Sequence, residues 1–134
     1  MIFKSFSISN GMENKKLEIK SDERGNFVEV FKILEFGQVS YSTTKPGVIR
    51  GNHYHTRKKE FFCVIEGEAK IRQRDRETNE IEEKIVSGDA PELVEMKLNW
   101  THNIQNIGDT EMKLLIWISE VFDPNNSDTF MENV

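Results

Sequence analysis

Short runs in which apolar and polar residues alternate constrain the fold of this chain more than any other feature. Residues 68–74 are the clearest case, because Ala69, Ile71 and Gln73 fall on one face of an extended strand and charged residues on the other. No stretch of 12 or more residues has a clear helical period. Turn residues separate the runs, so about ten short strands are expected, as in a β-sandwich or β-barrel. The predicted strands cover residues 2–8, 16–19, 27–31, 38–44, 48–55, 60–65, 68–74, 81–86, 93–96, 101–106 and 112–122.

Length and charge limit the classes of function. The chain has 134 residues, which suits one domain spanning residues 1–134. Its net charge of −5 argues against nucleic acid as the main partner, because binding to a phosphate backbone needs a basic surface. No apolar run is long enough for a membrane helix, and the N-terminal residues lack the pattern of a signal peptide. The single cysteine, Cys63, excludes an intrachain disulfide, so a cytoplasmic location is expected.

All three histidines of the chain stand in a pattern that suits a metal site. His53 and His55 are two residues apart, so both imidazoles project from the same face of an extended strand. Glu60 opens a returning strand beside them, and His102 comes from a second segment. Three imidazoles and one carboxylate suit zinc, iron, manganese, nickel or copper, and leave one or two positions open for water or substrate. The alternative is a metal-free site in which His53 acts as a base.

The spacing of these residues resembles the two motifs of the cupin family. The end of the second motif, His-x-x-x-Asn, is matched by His102 and Asn106. The resemblance implies an all-β cupin double-stranded β-helix, a small jelly roll, with a bound divalent metal. We expect zinc, with iron, manganese or nickel as alternatives, and we expect Asn106 to orient a ligand. The first motif is matched at every spaced element, by Gly47, His53, His55, Glu60 and Gly67.

Two arginine-bearing segments resemble those of nucleotide-sugar 3,5-epimerases. They are Asp-Glu-Arg-Gly-Asn-Phe at 22–27 and Arg-Gly-Asn-His at 50–53. In that family the arginines hold substrate phosphates, and the histidine after Arg-Gly abstracts a proton. The resemblance therefore makes Arg24 and Arg50 candidate substrate-binding residues and His53 a candidate catalytic residue. A surface salt bridge with a neighbouring acid is the alternative for each arginine.

Longer segments, at 41–55, 101–112 and 122–130, are similar to one narrower group. That group is the C-terminal cupin domain of bifunctional capsular-polysaccharide enzymes that process UDP-2-acetamido-2,6-dideoxy-4-hexuloses. The resemblance implies an epimerase that inverts C3 of a UDP-linked 4-keto-6-deoxy sugar through an enolate. Because the chain contains no Gly-x-Gly-x-x-Gly, a separate NADPH-dependent reductase is expected as a partner. The family and the β-rich edges also predict a homodimer.

A bound metal raises the question of which group moves the C3 proton. All three histidines would then be ligands, which leaves a metal-bound hydroxide or one of four side chains as candidates: Tyr41, Tyr54, Lys58 and Lys59. Tyr54, beside His53, is the candidate catalytic tyrosine, with packing on the opposite face of the strand as its alternative. For Lys58 and Lys59 an exposed turn is expected.

Two other functions stay open on the sequence alone. One is a 3,4-ketoisomerase, which would move the ketone rather than invert a centre. The other is a non-catalytic sugar- or metal-binding cupin that partners a separate reductase.

Overall fold

The computed structural model describes residues 14–134, and its regular structure is all β. The shortest strands, at the edges of the sheets, are two or three residues long. The central strands are six to nine residues long. The eleven strands are β1 (Lys20–Asp22), β2 (Gly25–Ile33), β3 (Gly37–Thr44), β4 (Ile49–Tyr54), β5 (Glu60–Glu66), β6 (Glu68–Asp75), β7 (Ile81–Ser87), β8 (Val94–Met96), β9 (Trp100–Asn106), β10 (Met112–Ile118) and β11 (Phe130–Met131).

The strands form two antiparallel sheets that pack face to face. The six-stranded sheet has the order β1-β2-β3-β10-β5-β8, and the five-stranded sheet has the order β11-β4-β9-β6-β7. Strands that are distant in sequence are neighbours in both sheets, for example β3 with β10 and β4 with β9. This architecture confirms the all-β prediction. No helix of the described residues is long and apolar enough to cross a membrane.

The apolar core lies between the sheets and follows the strand alternation. Ala69 and Ile71 of β6 are buried, as the pattern of residues 68–74 predicts. They meet Phe62 and Leu114 of the facing sheet in one cluster. Replacing a fully buried leucine such as Leu114 by alanine costs about 2–5 kcal/mol in cores of this kind, so these contacts hold the two sheets together.

One strand reverses the usual alternation. In β3 the polar side chains of Gln38, Ser40 and Ser42 point inward and are almost fully buried. The residues between them, Val39 and Tyr41, lie on the outer face. A sheet that turns polar groups inward needs something polar to meet them, and a cavity lies there.

Three predicted boundaries differ from the structure. The strand at 16–19 is wrong: residues 14–19 form no strand, and Leu17 and Ile19 are exposed because no sheet covers their side. The strand at 112–122 ends at Ile118, and the backbone N–H of Phe122 donates to the side chain of Gln38 instead. Residues 130–131, where no strand was predicted, pair with β4 as β11. The strand predicted at 2–8 lies outside the described residues.

Candidate metal centre

The structure brings the four sequence-predicted metal ligands together. His53 of β4 and His102 of β9 are paired across neighbouring strands. His55 follows β4 directly, and Glu60 is the first residue of β5. One ligand atom from each residue lies within 4.8 Å of the others. The Nε2 atoms of His55 and His102 lie 3.0 and 3.3 Å from the same oxygen, Glu60 Oε1.

A bulge in β4 directs His53 into this cluster. The pairing of β4 with β9 shifts between Gly51 and His53, and Gly51 and Asn52 have φ angles of 97° and 58°. A Cβ at position 51 would lie 3.0 Å from the carbonyl oxygen of His102, so glycine permits this close approach of the two strands. The side chain of Asn103 donates a 3.0 Å hydrogen bond to Asn52 and stabilises the bulge.

Unsatisfied nitrogen atoms show that the cluster fits a metal ion. His102 is completely buried, and within the described residues neither of its ring nitrogens has a hydrogen-bond partner. A buried polar atom in that state costs about 1–3 kcal/mol unless another group takes its place. His55 Nδ1 lies 2.7 Å from the carbonyl oxygen of Asp128, so it donates its proton there and directs Nε2 at Glu60. The cluster can therefore hold a metal through three imidazoles and one carboxylate.

The charges of the cluster agree with this interpretation. Burial, followed by the charge of His102, lowers the pKa of His53 to about 4, so this imidazole is neutral at pH 7. Burial opposes ionisation of Glu60, but His102 and His55 outweigh it and lower the pKa of the carboxyl to about 2. Burial also acts to lower the pKa of His55, yet the contact with Glu60 raises it. A proton or a metal ion must therefore lie between His55 and Glu60, and metal binding displaces that proton.

Asp128 supports the cluster, a role that no local pattern of residues indicates. Its buried carboxylate accepts hydrogen bonds from the backbone N–H groups of Thr56, Arg57 and Lys58 and from the Thr56 hydroxyl. Its carbonyl oxygen orients His55. The segment after β10 thereby fixes the loop between His55 and Glu60. The run Asn125-Asn126-Ser127-Asp128 predicts a turn, but nothing local indicates a partner about 70 residues earlier in the chain.

Acid is expected to release this C-terminal segment. Burial opposes ionisation of Asp128, but its hydrogen-bond donors outweigh it and depress its pKa, and Arg76 with Thr101 lowers the pKa of Glu132 to about 2. Both groups bind fewer protons folded than unfolded, so their contribution is complete above about pH 5 and is lost as the pH falls toward 2. Thermal unfolding followed by circular dichroism between about pH 6 and 2 should show the loss, and Asp128→Asn should flatten the profile. A melting temperature that is constant over this range would contradict it.

A cavity of about 350 Å³ opens beside the cluster, between the two sheets. His53, His55 and Glu60 form part of its lining. Its volume lies in the range of small-ligand sites. Its remaining surface has an apolar wall and a polar wall on neighbouring strands, formed by Leu114, Ile116 and Ile118 of β10 and by Gln38, Ser40 and Ser42 of β3.

Lys58 lines this cavity, and the expectation of an exposed turn is wrong for it. The side chain is 1% exposed, because the loop that Asp128 fixes turns it inward. Its Nζ lies 5.6 Å from the centre of the Phe122 ring, and burial lowers the pKa of the amine. Lys59, by contrast, is exposed as expected. Lys58 therefore places its amine in the same cavity as the metal cluster.

The two sequence-predicted arginines both reach the cavity, in different states. Arg24 is at its exposed rim and forms an ion pair with Asp22, with Nη2 and Oδ2 2.6 Å apart, as the salt-bridge alternative predicted. Arg50 is half-buried and donates to the Thr44 hydroxyl and to the carbonyl oxygen of Thr43. Within residues 14–134 no carboxylate lies within 4 Å of its guanidinium group. Arg50 is thus a fixed cation available to an anionic ligand.

Two sequence-predicted residues take other positions. Tyr54 lies outside the cavity, with its ring stacked on Phe130 at 5.2 Å and the Arg76 guanidinium group 3.9 Å from its centre. The catalytic assignment of Tyr54 does not fit this geometry, because strand alternation directs it away from both histidines. Asn106 does not orient a ligand: its side chain donates to the carbonyl oxygens of Thr44 and Thr110 and fixes the end of β3.

Comparison with known proteins places this site in a family. The family model described as the polysaccharide biosynthesis C-terminal domain matches residues 20–130, which include every residue of the cluster. The chain belongs to this family. The UDP-2-acetamido-2,6-beta-L-arabino-hexul-4-ose reductase of Pseudomonas aeruginosa is 44% identical over 110 residues, covering 82% of this chain and 30% of that protein.

Two solved structures share the fold of this chain. The capsular polysaccharide assembling protein CapF from Staphylococcus aureus superposes with a TM-score of 0.88 and 44% identity, over 90% of this chain and 35% of CapF. The chain thus spans about a third of the length of these relatives. Oxalate decarboxylase from Lactobacillus farciminis, at 17% identity and a TM-score of 0.69 over 86% of this chain and 33% of its own, shares the fold alone, in agreement with the predicted all-β cupin fold.

Proposed function

We propose that this chain is a metal-containing cupin that epimerises C3 of a UDP-linked 4-keto-6-deoxy sugar in the synthesis of a surface polysaccharide. The observation that carries the proposal is the His53, His55, Glu60 and His102 cluster at one end of a cavity that also contains Arg50. The name of the P. aeruginosa relative, a reductase of a UDP-linked acetamido-dideoxy-hexulose, supports this class of substrate.

The chemistry follows from the ketone. A C4 ketone acidifies the proton on C3, and removal of that proton gives an enolate that can be reprotonated on the opposite face. A divalent metal held by the four ligands would act as a Lewis acid toward the ketone oxygen. We propose zinc, with iron, manganese or nickel as alternatives that the same ligands would accept.

The protein groups around the cluster have separate parts in this scheme. Lys58 lies in a largely buried part of the cavity, and we assign it to the C3 proton. Burial lowers the pKa of its amine, so the neutral amine accepts the proton. The ammonium formed in this way stabilises the negative charge on the sugar oxygen until a solvent-derived proton reaches the opposite face of C3. The apolar wall of β10 excludes water from the reacting carbon. Arg50 binds the diphosphate, since its fork geometry suits phosphate oxygens and part of its guanidinium group is already fixed by Thr44.

A reductase completes the proposed reaction sequence. The product of C3 epimerisation still carries its C4 ketone, so the class of enzyme that would consume it is a reductase using NADPH. The relatives of known structure and name are about three times as long as the matched region, and one is named as a reductase. We propose that such an activity, in the same or a separate chain, receives the product.

The test of this function is hydrogen exchange at the sugar. The protein is incubated with a UDP-linked 4-keto-6-deoxyhexosamine in heavy water, and the sugar is followed by proton NMR. Deuterium at C3 with the ketone retained at C4 is the expected result. Movement of the ketone to C3 would contradict epimerisation and would show that the protein is a 3,4-ketoisomerase. Absence of exchange with any such sugar would overturn both enzymatic functions and favour a binding partner of a reductase.

Arg50→Met is expected to weaken substrate binding more than turnover. Loss of a charge-assisted contact to phosphate costs about 1.5–3 kcal/mol, which corresponds to a KM about 10- to 100-fold higher at an almost unchanged kcat. Steady-state rates of C3 exchange measure both constants. Arg72→Met is the matched control, because Arg72 pairs with Glu83 outside the cavity. A KM that changes equally in the two variants would contradict the assignment.

A further inference from the structure

The reversed alternation of β3 creates a buried polar strip that the proposed chemistry does not use. Ser40 and Ser42 are 2% and 0% exposed, and both line the cavity. Burying hydroxyl groups in place of apolar side chains costs free energy unless each group finds a hydrogen bond. Natural proteins tolerate such costs mainly at functional sites.

The hydrogen bonds along the strip stop short of Ser42. Gln38 Nε2 donates to the Ser40 hydroxyl at 3.0 Å and to Glu29 at 3.2 Å, while Gln38 Oε1 accepts from the backbone of Phe122. Ser40 accepts a bond and so retains its own proton to donate. Ser42 Oγ is buried and has no hydrogen-bond partner within the described part of the chain. It is therefore an unpartnered hydroxyl on the wall of the cavity.

The register of the sheet shows where this strip lies relative to the two ends of the site. Gln38, Ile118 and Glu60 stand in one row across β3, β10 and β5, so the Gln38 end is level with a metal ligand. At the other end of β3, Thr44 accepts a 2.9 Å hydrogen bond from Arg50. Ser40 and Ser42 lie between these two ends. A ligand that joins a metal-bound ketone to an arginine-bound phosphate must pass along them.

The apolar wall runs beside the polar strip in the same register. Leu114 pairs with Ser42, and Ile116 pairs with Ser40, on the neighbouring strand β10. A ring with a polar substituent on one side and a methyl group on the other matches both walls. A ring that is polar all round would leave a hydroxyl against Leu114 and Ile116 without a partner, which disfavours it.

We propose that Ser40 and Ser42 hydrogen-bond a neutral polar substituent of the sugar ring, a hydroxyl or an acetamido group, and thereby select the sugar. The apolar wall beside them receives the deoxy side of the ring. The assignment rests on the proposed function for the identity of the ligand as a UDP-linked sugar. It adds specificity-determining residues to the metal ligands and arginines.

The experiment compares two probes, UDP-2-acetamido-2,6-dideoxyglucose and UDP, by isothermal titration calorimetry. The sugar of the first probe has an acetamido group and a 6-methyl group but no ketone. Ser42→Ala should weaken binding of this UDP-sugar about 5- to 10-fold, the value of one hydrogen bond, and change binding of UDP less than about 2-fold. Tyr41→Phe is the matched control, because it removes a hydroxyl from the outer face of the same strand. It should leave both affinities unchanged.

A stability measurement excludes a structural role for Ser42. Because the hydroxyl has no partner, Ser42→Ala should unfold at the same or a higher temperature than the parent chain in the absence of ligand. A lower melting temperature together with equal losses for both probes would overturn the proposal, as would unchanged affinity for UDP-2-acetamido-2,6-dideoxyglucose. A parent chain that binds neither probe would overturn it together with the phosphate assignment. Failure of C3 exchange bears only on the proposed reaction, since neither probe carries a 4-ketone.

Discussion

A His102→Leu variant is expected to bind a divalent metal at least about 100-fold more weakly than the parent chain, because it loses one of four ligands. The fold should survive. Neither ring nitrogen of His102 makes a hydrogen bond within the described residues, although Nε2 lies 3.3 Å from Glu60 Oε1. The ring packs edge-on against Phe62, with 5.8 Å between the ring centres. Leucine fills a similar volume, so the free energy of unfolding of the metal-free protein should change by less than about 1.5 kcal/mol.

Metal content after dialysis and titration calorimetry with zinc measure this effect. Gln105→Ala is the matched control, since Gln105 is on the same strand but donates outside the site, to the carbonyl oxygen of Gly47. It should bind metal as the parent chain does. One tightly held metal per chain in His102→Leu would remove His102 from the ligand set. Unfolding of the variant without metal would instead assign His102 a packing role.

Asp128→Ala is expected to affect both stability and metal binding. The substitution leaves three backbone N–H groups and the Thr56 hydroxyl without their acceptor, which should cost about 3 kcal/mol in the free energy of unfolding. It also loosens the segment whose carbonyl oxygen orients His55. Loss of such a supporting contact typically weakens metal binding about 10- to 100-fold.

Urea unfolding of the metal-free protein and zinc titration separate these two consequences. Asp123→Ala is the control in the same segment, because Asp123 is exposed and its carboxylate accepts from the nearby backbone N–H of Asn125. It should change stability by less than about 0.5 kcal/mol. Equal effects of the two substitutions would show that Asp128 is an ordinary turn residue.

Three of the four metal ligands were predictable because the pattern that places them is local, whereas His102 was found through the second cupin-like segment. Strand periodicity places His53 and His55 together, and a five-residue spacing returns Glu60 to them. The same periodicity directs Tyr54 away from the two histidines. Its assignment as a catalytic residue therefore conflicted with the strand pattern that predicted the positions of His53 and His55. The bulge at Gly51 and Asn52 refines this geometry without altering which residues meet.

Other parts of the site depend on contacts that leave no local pattern. The local sequence around Lys58 predicts an exposed charged turn. In the structure, Asp128, 70 residues later, accepts a hydrogen bond from the backbone of Lys58, and the side chain turns inward. The strand at 16–19 failed for the opposite reason: its alternation is genuine, but no sheet lies beside it to bury one face. In β3 the alternation predicted a strand but not that its polar side would face inward. The cavity beside it explains this orientation.

We propose that the four-ligand cluster activates C3 of a UDP-linked 4-keto sugar, and metal removal tests this proposal. The rate of deuterium incorporation at C3 is measured on one preparation before metal removal, after chelation and dialysis, and after return of about one equivalent of zinc. The rate is expected to fall at least about 100-fold on removal of the metal and to recover when zinc is returned. A metal-free protein that exchanges C3 at the full rate would contradict it and return His53 to the role of the base.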